Sequence, residues 1–173
     1  MNRGLALTGL PGGLHQFGPI VSIPAYSNPT AGAWTSANRM WVRAFRVGAP
    51  VAVTQATWFV GASAGNVSAG VGTLSGTTFT LLGTTGTVAA AGSSATQTAA
   101  LDVTVRLQPG VTYAMCMSVS TVTTLTVGRI APFEAIMVAE GLTYFVNSTF
   151  PVASATVAAG FGGGNFMPLL VLS

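Results

Sequence analysis

The stretch Leu101-Asp102-Val103-Thr104-Val105-Arg106-Leu107, followed by Gln108-Pro109-Gly110 and then Val111-Thr112-Tyr113-Ala114-Met115-Cys116-Met117-Ser118-Val119, decides the fold class. In its first half Leu101, Val103, Val105 and Leu107 alternate with Asp102, Thr104 and Arg106. That period of two belongs to a β-strand with one face on a core. Pro-Gly then supplies a turn. In the second half Val111, Tyr113, Met115, Met117 and Val119 share a face, which is expected to point into the same core. Two neighbouring strands with odd-numbered residues buried are the nucleus of the reading.

Working outward, the pattern repeats. Arg39 to Val47 alternates, with Met40, Val42 and Ala44 on one side and Arg39, Trp41, Arg43 and Phe45 on the other. Gly48-Ala49-Pro50 ends that strand, and Val51 to Val60 forms the next. Beyond Gly61-Ala62-Ser63-Ala64-Gly65-Asn66, Val67, Ala69 and Val71 alternate with Ser68, Gly70 and Gly72. Ser75-Gly76 turns the chain into Thr77 to Leu82, and Gly83 to Ala95 reads as a loop or a poor edge strand. Thr121 to Val127, Leu142 to Val146 and Phe166 to Leu172 complete the strands, and Gly160 to Gly164 is a loop. Ile130 to Glu140 is the one place with room for a short helix. Short strands punctuated by Gly and Pro predict an all-β chain, an antiparallel β-sandwich of jelly-roll type.

Residues 1–38 differ. Pro11, Pro19, Pro24 and Pro29 oppose helix interiors and central strands, so an extended N-terminal arm is expected, with one short strand at Pro19 to Ala25. A flexible tether would be rich in Gly and Ser. This arm instead carries Leu5, Leu7, Leu10, Leu14 and Phe17, side chains that need a surface to cover them. The sandwich domain is expected over residues 39–173.

Half of the chain is apolar and only 5% is charged, against about 25% in an ordinary soluble domain. Surface with so little charge suits burial against other chains. A homo-oligomer is therefore expected, a trimer being the first guess, with Leu5, Leu7, Leu10, Leu14, Phe17, Arg39, Trp41, Arg43 and Phe45 as its contact residues. Arg interleaved with aromatics could also stack on nucleic acid, but a net charge of +3 is too small for the usual electrostatic footprint. No run of about 20 apolar residues free of Gly, Pro and polar breaks exists, so no membrane span is expected. Leu5 to Leu10 is too short and too broken for a secretion signal, which points to synthesis in a cytoplasm.

Titratable groups are scarce: His15, Cys116, Asp102, Glu134 and Glu140, beside six arginines. Catalysis needs such groups to converge. His15 lies in the Pro- and Gly-rich arm, and nothing around Glu134 and Glu140 suggests a sugar cleft for paired carboxylates. One Cys and one His cannot build a zinc site. Cys116, inside an apolar run, reads as a small buried hydrophobe. The expectation is a chain that is not an enzyme, with no catalytic residues, no cofactor and no metal.

Two further segments carry a family resemblance. Ala52-Val53-Thr54-Gln55-Ala56-Thr57-Trp58-Phe59-Val60-Gly61, then Ala64-Gly65-Asn66-Val67-Ser68-Ala69-Gly70-Val71, resembles a module of tailed-bacteriophage tail and virion proteins. Leu107-Gln108-Pro109-Gly110-Val111-Thr112-Tyr113 is similar to the Leu-x-Pro-Gly-x-x-Tyr turn of the same module, which also occurs in carbohydrate-binding β-sandwiches. The resemblance spans about Arg39 to Val127, with a weaker match at the last strand. A Tyr-Asp pair often follows the position of Gly70 in the module; Val71-Gly72 stands there in this chain, so a ligand or metal held by that pair is not implied. The resemblance implies a β-sandwich located in the virion, as a capsid decoration or tail-associated subunit partnered by capsid or tail proteins. The alternative is a module that recognises a host cell-surface glycan. That would need an exposed aromatic platform, for which Tyr26, Trp34, Trp41, Trp58 and Tyr144 are the candidates.

Overall fold

The structure is a computed structural model that describes residues 16–17, 30–34, 37–62, 64–121, 126–130, 143–147, 149–160, 167–168 and 170–173. Its strands are β1 (Gln16–Phe17), β2 (Thr30–Ala33), β3 (Met40–Val47), β4 (Val51–Ala62), β5 (Asn66–Ser75), β6 (Thr78–Thr84), β7 (Val88–Ala89) and β8 (Ala95–Leu107). They continue with β9 (Tyr113–Val119), β10 (Thr126–Ile130), β11 (Thr143–Val146), β12 (Ala155–Thr156), β13 (Ala158–Ala159), β14 (Met167–Pro168) and β15 (Leu170–Leu172). The chain is all-β and its ladders are antiparallel, apart from the short parallel pairing of β1 with β3. The expected helix at residues 130–140 falls outside the described residues except for Ile130, which ends β10. The expected strand at Pro19 to Ala25 also lies outside them.

Two sheets form. The first runs β12-β6-β5-β9-β3-β11-β13, with β7 on β5; the second runs β14-β10-β4-β15, with β2 on β10 and β8 on β4. The first sheet curls back on itself. β12 and β13 are two halves of one extended run, residues 155–159. Ala155 and Thr156 pair with Phe79 and Thr78 of β6, while Ala158 and Ala159 pair with Phe145 and Tyr144 of β11. The same few residues therefore bridge both ends of the sheet and nearly close it into a barrel.

This curl explains why β3 and β9 are buried on both faces. Met40, Val42, Ala44, Ala114 and Cys116 point inward and pack with Leu74, Phe79, Val152 and Val157. The opposite faces of the same strands carry Trp41, Phe45, Val47, Tyr113, Met115, Met117 and Val119. These pack across the layer interface on Val53, Ala56, Trp58 and Val60 of β4, Leu101, Val105 and Leu107 of β8, and Leu170 and Leu172 of β15. Every residue of β9 is buried. An apolar side chain withdrawn from water contributes roughly 1.5–3 kcal/mol, so a strand packed on both sides contributes about twice what a half-buried one can.

Close approach inside the roll needs small residues. Ser68, Gly70 and Gly72 of β5 face inward with the period of two. A Cβ on Gly72 would lie 2.7 Å from Cε2 of Phe79 and would also overlap the carbonyl oxygen of Thr80. The buried Ser68 hydroxyl accepts the N–H of Val152 at 3.1 Å, which fixes the segment that leads into β12.

The turn from β8 to β9 forms where Pro-Gly stands. Gly110 has φ +85°, a conformation that only Gly adopts cheaply. The Tyr113 hydroxyl accepts the N–H of Gln108 at 2.8 Å, so the side chain that re-enters the core also closes the turn.

Several expectations need correction. Val103 is 49% exposed and Val111 is 37% exposed, although alternation assigns both to the core. The β4–β8 ladder pairs Val53 with Val105 but Gln55 with Ala100. Four residues of β8, Leu101 to Thr104, thus stand opposite Thr54 alone, and the bulge turns Val103 outward. Val111 belongs to the turn and precedes the first residue of β9. Gly83 to Ala95 is not one loop: β6 runs to Thr84, β7 follows, and β8 starts at Ala95. The folded unit also begins before residue 39, since β2 pairs with β10 and Trp34 is buried in the core between the sheets.

Two glycine substitutions test the roll. Gly72→Ala should cost about 2–3 kcal/mol of unfolding free energy, as overpacking a tight interior does. Gly76→Ala, at φ +57° with nothing within 4 Å of the new Cβ, should cost only about 1 kcal/mol for its left-handed backbone. Urea titration of both variants measures the difference; equal losses would contradict a tightly packed roll.

Candidate interaction surface

The sequence offers Arg39, Trp41, Arg43 and Phe45 as one exposed face of β3. The structure corrects this for the aromatics. Trp41 is 3% exposed and Phe45 is 6% exposed, so neither has surface to offer a partner. Trp41 meets Trp34 edge-on, with ring centroids 6.5 Å apart, and tilts against Phe145 at 6.3 Å. Phe45 packs on Tyr113 at 6.0 Å. The face that alternation assigns to a partner is covered by the chain's own second sheet.

The two arginines of this set differ from each other. Arg39 is half-buried at the start of β3. Its guanidinium lies 5.4 Å from the Phe145 ring centroid, and Nε–H donates to Oδ1 of Asn147 at 2.8 Å. Arg43 sits deeper, in register between Met115 of β9 and Thr143 of β11. Nη1 of Arg43 is buried and has no hydrogen-bond partner among the described residues. Burial pulls this guanidinium down to about 10, because desolvation disfavours the charged form. Leu5, Leu7, Leu10 and Leu14 lie outside the described residues. The backbone of Phe17 pairs with Val47.

Groups that could do chemistry are dispersed. His15, Glu134 and Glu140 lie outside the described residues. Asp102 uses Oδ1 to accept the N–H of Thr84 at 2.9 Å. Cys116 is buried inside the roll, where desolvation pushes its thiol far above the usual range. Among the described residues no three His, Cys, Asp or Glu side chains come together. Of the aromatics that could form a glycan platform, Trp34, Trp41 and Trp58 are buried in the core, Tyr144 is half-buried against the roll interior, and Tyr26 lies outside the described residues.

Two surfaces emerge that the sequence does not mark. The first is the outward face of β4 and β8. Ala52, Thr54, Gln55, Thr96, Thr98 and Ala100 are exposed there, and the charged residues exposed on these two strands are Asp102 and Arg106, the latter paired with Ala52. Thr57 and Thr98 face each other across the ladder, with hydroxyl oxygens 2.8 Å apart. The second lies where two bulges meet. The β5–β6 ladder pairs Val71 with Gly83 and Gly72 with Leu81, which leaves Leu82 as the extra residue, 40% exposed. The β8 bulge carries Val103. Both bulges flank Gly83, whose Cβ position would be 3.3 Å from Cγ2 of Val103 and 2.7 Å from Cγ2 of Val105. No local sequence signal marks a bulge in Leu101 to Leu107, because its alternation is uninterrupted.

Neither comparison with protein-family models nor comparison with curated protein sequences gives a match for this chain.

Replacing Arg43 separates stability from any role it has at a surface. A half-buried cation without a full set of partners costs stability, and an apolar side chain of similar length removes that cost. Arg43→Met is expected to leave the melting temperature unchanged or to raise it by about 2–4 °C. Calorimetry of the two proteins decides, and a fall of that size would mean that the guanidinium is well paired.

Proposed function

We propose that the chain is a non-catalytic structural subunit of a tailed-bacteriophage virion, a surface decoration or tail-associated β-protein that assembles with other virion subunits. The observation that carries this reading is the sparsely charged outward face of β4 and β8, on which Asp102 and Arg106 are the charged residues and are of opposite sign. Most of its other exposed positions hold Thr, Gln and Ala where a soluble monomer would place Lys, Arg, Asp and Glu. Such a face can be buried against another protein with little loss, because few ions have to be desolvated.

Two other features support the same reading. The strand-Gly-Asn-strand and Leu-x-Pro-Gly-x-x-Tyr segments resemble the virion module, and each has a clear structural purpose. The first carries the chain from β4 in the second sheet to β5 in the first. The second is the turn that Tyr113 closes. A framework in which β3 and β9 are packed on both sides is also suited to bearing load, since the whole roll must come apart before either strand is freed. The glycan-binding alternative is left without an aromatic platform among the described residues, and we do not favour it.

The test uses particles banded by density gradient from a lysate in which the chain is made. Quantitative mass spectrometry should find the chain in the particle band, in fixed ratio to the major head or tail protein, and should still find it there after a high-salt wash. Recovery of the chain only in the soluble fraction would sink the proposal.

A further inference from the structure

The rolled sheet is closed by residues 149–160, and that closure is held more lightly than the strands it covers. β9 is paired with β3 from Tyr113 to Ser118 and with β5 from Tyr113 to Val119. Among the described residues the closing segment has two short pairings, Ala155 and Thr156 on β6 and Ala158 and Ala159 on β11. Over residues 151–159, Val152 and Val157 are buried and the rest are exposed or half-buried. Each buried valine is tied at its own backbone. The Val152 N–H donates to Oγ of Ser68 at 3.1 Å, and the Val157 N–H donates to the carbonyl oxygen of Thr77 at 2.8 Å. Between them, Oγ of Ser154 accepts the N–H of Leu81 at 2.9 Å. The two valines pack in one cluster with Met40, Val42, Phe79 and Cys116.

We propose that this segment is a strap that lifts as a unit by local opening and uncovers the inner faces of β3 and β9 while their ladders stay paired. Segments with few buried apolar side chains open at a fraction of the cost of global unfolding. Lifting the strap gives up the burial of Val152 and Val157 and the two short pairings. Global unfolding gives up both cores and every long ladder. The lifted strap frees the edge of β6 at Thr78 and Phe79 and the edge of β11 at Tyr144 and Phe145. It also bares the apolar cluster that the valines covered. A free strand edge pairs readily with another chain, so the closed strap guards the sheet while the protein is alone. The strap is a property of the fold and does not depend on the virion role.

Cys116 is the chain's one cysteine and is 1% exposed inside that cluster, which makes its thiol the probe. The purified full-length protein is labelled with an aromatic disulfide reagent at increasing urea. Amide hydrogen exchange, read in parallel, gives opening constants at Val152, Val157 and Ala114 to Met117. At low urea Cys116 is expected to be labelled at least about a hundredfold faster than global unfolding allows, with the opening constant of the Val152 and Val157 amides. The amides of Ala114 to Met117 keep the global value. Val157→Ala should raise low-urea labelling by about a further tenfold, since it removes one of the two buried side chains that hold the strap. Ser68→Ala, which removes the acceptor of the Val152 N–H, should act in the same direction and keeps the test decisive if Val157→Ala fails to fold. Leu172→Ala, in the core between the sheets, should lower global stability and leave low-urea labelling unchanged. Labelling of Cys116 only at the global constant overturns the proposal. So does labelling that Leu172→Ala raises as much as Val157→Ala, because the whole molecule would then be opening. Labelling accompanied by lost protection at Ala114 to Met117 also overturns it, because β9 itself would be leaving the sheet.

Discussion

A strand whose side chains are apolar on both sides has no face to give to water. β9, Tyr-Ala-Met-Cys-Met-Ser-Val, is such a strand, and β3 is nearly so. One sheet packed against another covers only one of their faces. The remaining face must be covered from elsewhere, and the chain does this by curling the first sheet until residues 155–159 bridge β6 and β11. Much else follows from that demand. β5 must be trimmed to Ser68, Gly70 and Gly72, where Gly70 meets Leu81 and Val152 and Gly72 meets Phe79, because a rolled sheet leaves no room for larger side chains. Ser68 must find a partner inside, and the Val152 N–H supplies one.

The rolled sheet also determines what is left for the surface. With β3 and β9 spent on two cores, the long strands β4 and β8 and their bulge are what the molecule shows on its other side. That side has very little charge. A free monomer gains little from exposing Thr and Ala across such a face, whereas a subunit that buries it meets only a small cost of desolvating ions. The proposed structural role draws on the same sparing use of charge that makes the two-sided burial possible.

Much of the architecture could be read from sequence. The alternation in β3, β8 and β9, the Pro109-Gly110 turn and the small residues on alternate positions of β5 identify strands and turns correctly, since each depends on local chemistry. The depth of burial could not be read in the same way. Trp41 and Phe45 look like partner contacts when β3 is considered alone, because alternation shows that two faces differ without showing what covers each. The stretch Met-Trp-Val-Arg-Ala-Phe-Arg-Val did hold a clue: apolar residues occur at both parities, as in strands covered on both sides. The exposure of Val103 had no such clue. It comes from a slip in pairing between β4 and β8, a property of two strands together. The candidate surface was the least legible part, since bulges and neutral faces arise only once the strands are assembled.

Hydrogen exchange on the native protein tests the central claim of two-sided burial most directly. Amides in the β3–β9–β5 ladders should exchange only through global unfolding, with the most protected ones at Val42 to Ala44 and Ala114 to Met117. Amides from Leu101 to Thr104, in the bulge of β8, should exchange by local opening and far faster. If β9 instead exchanged through a partial opening while β4 and β8 stayed protected, the rolled sheet would not be the most stable part of the molecule, and two-sided burial would be contradicted as the constraint that organises the fold.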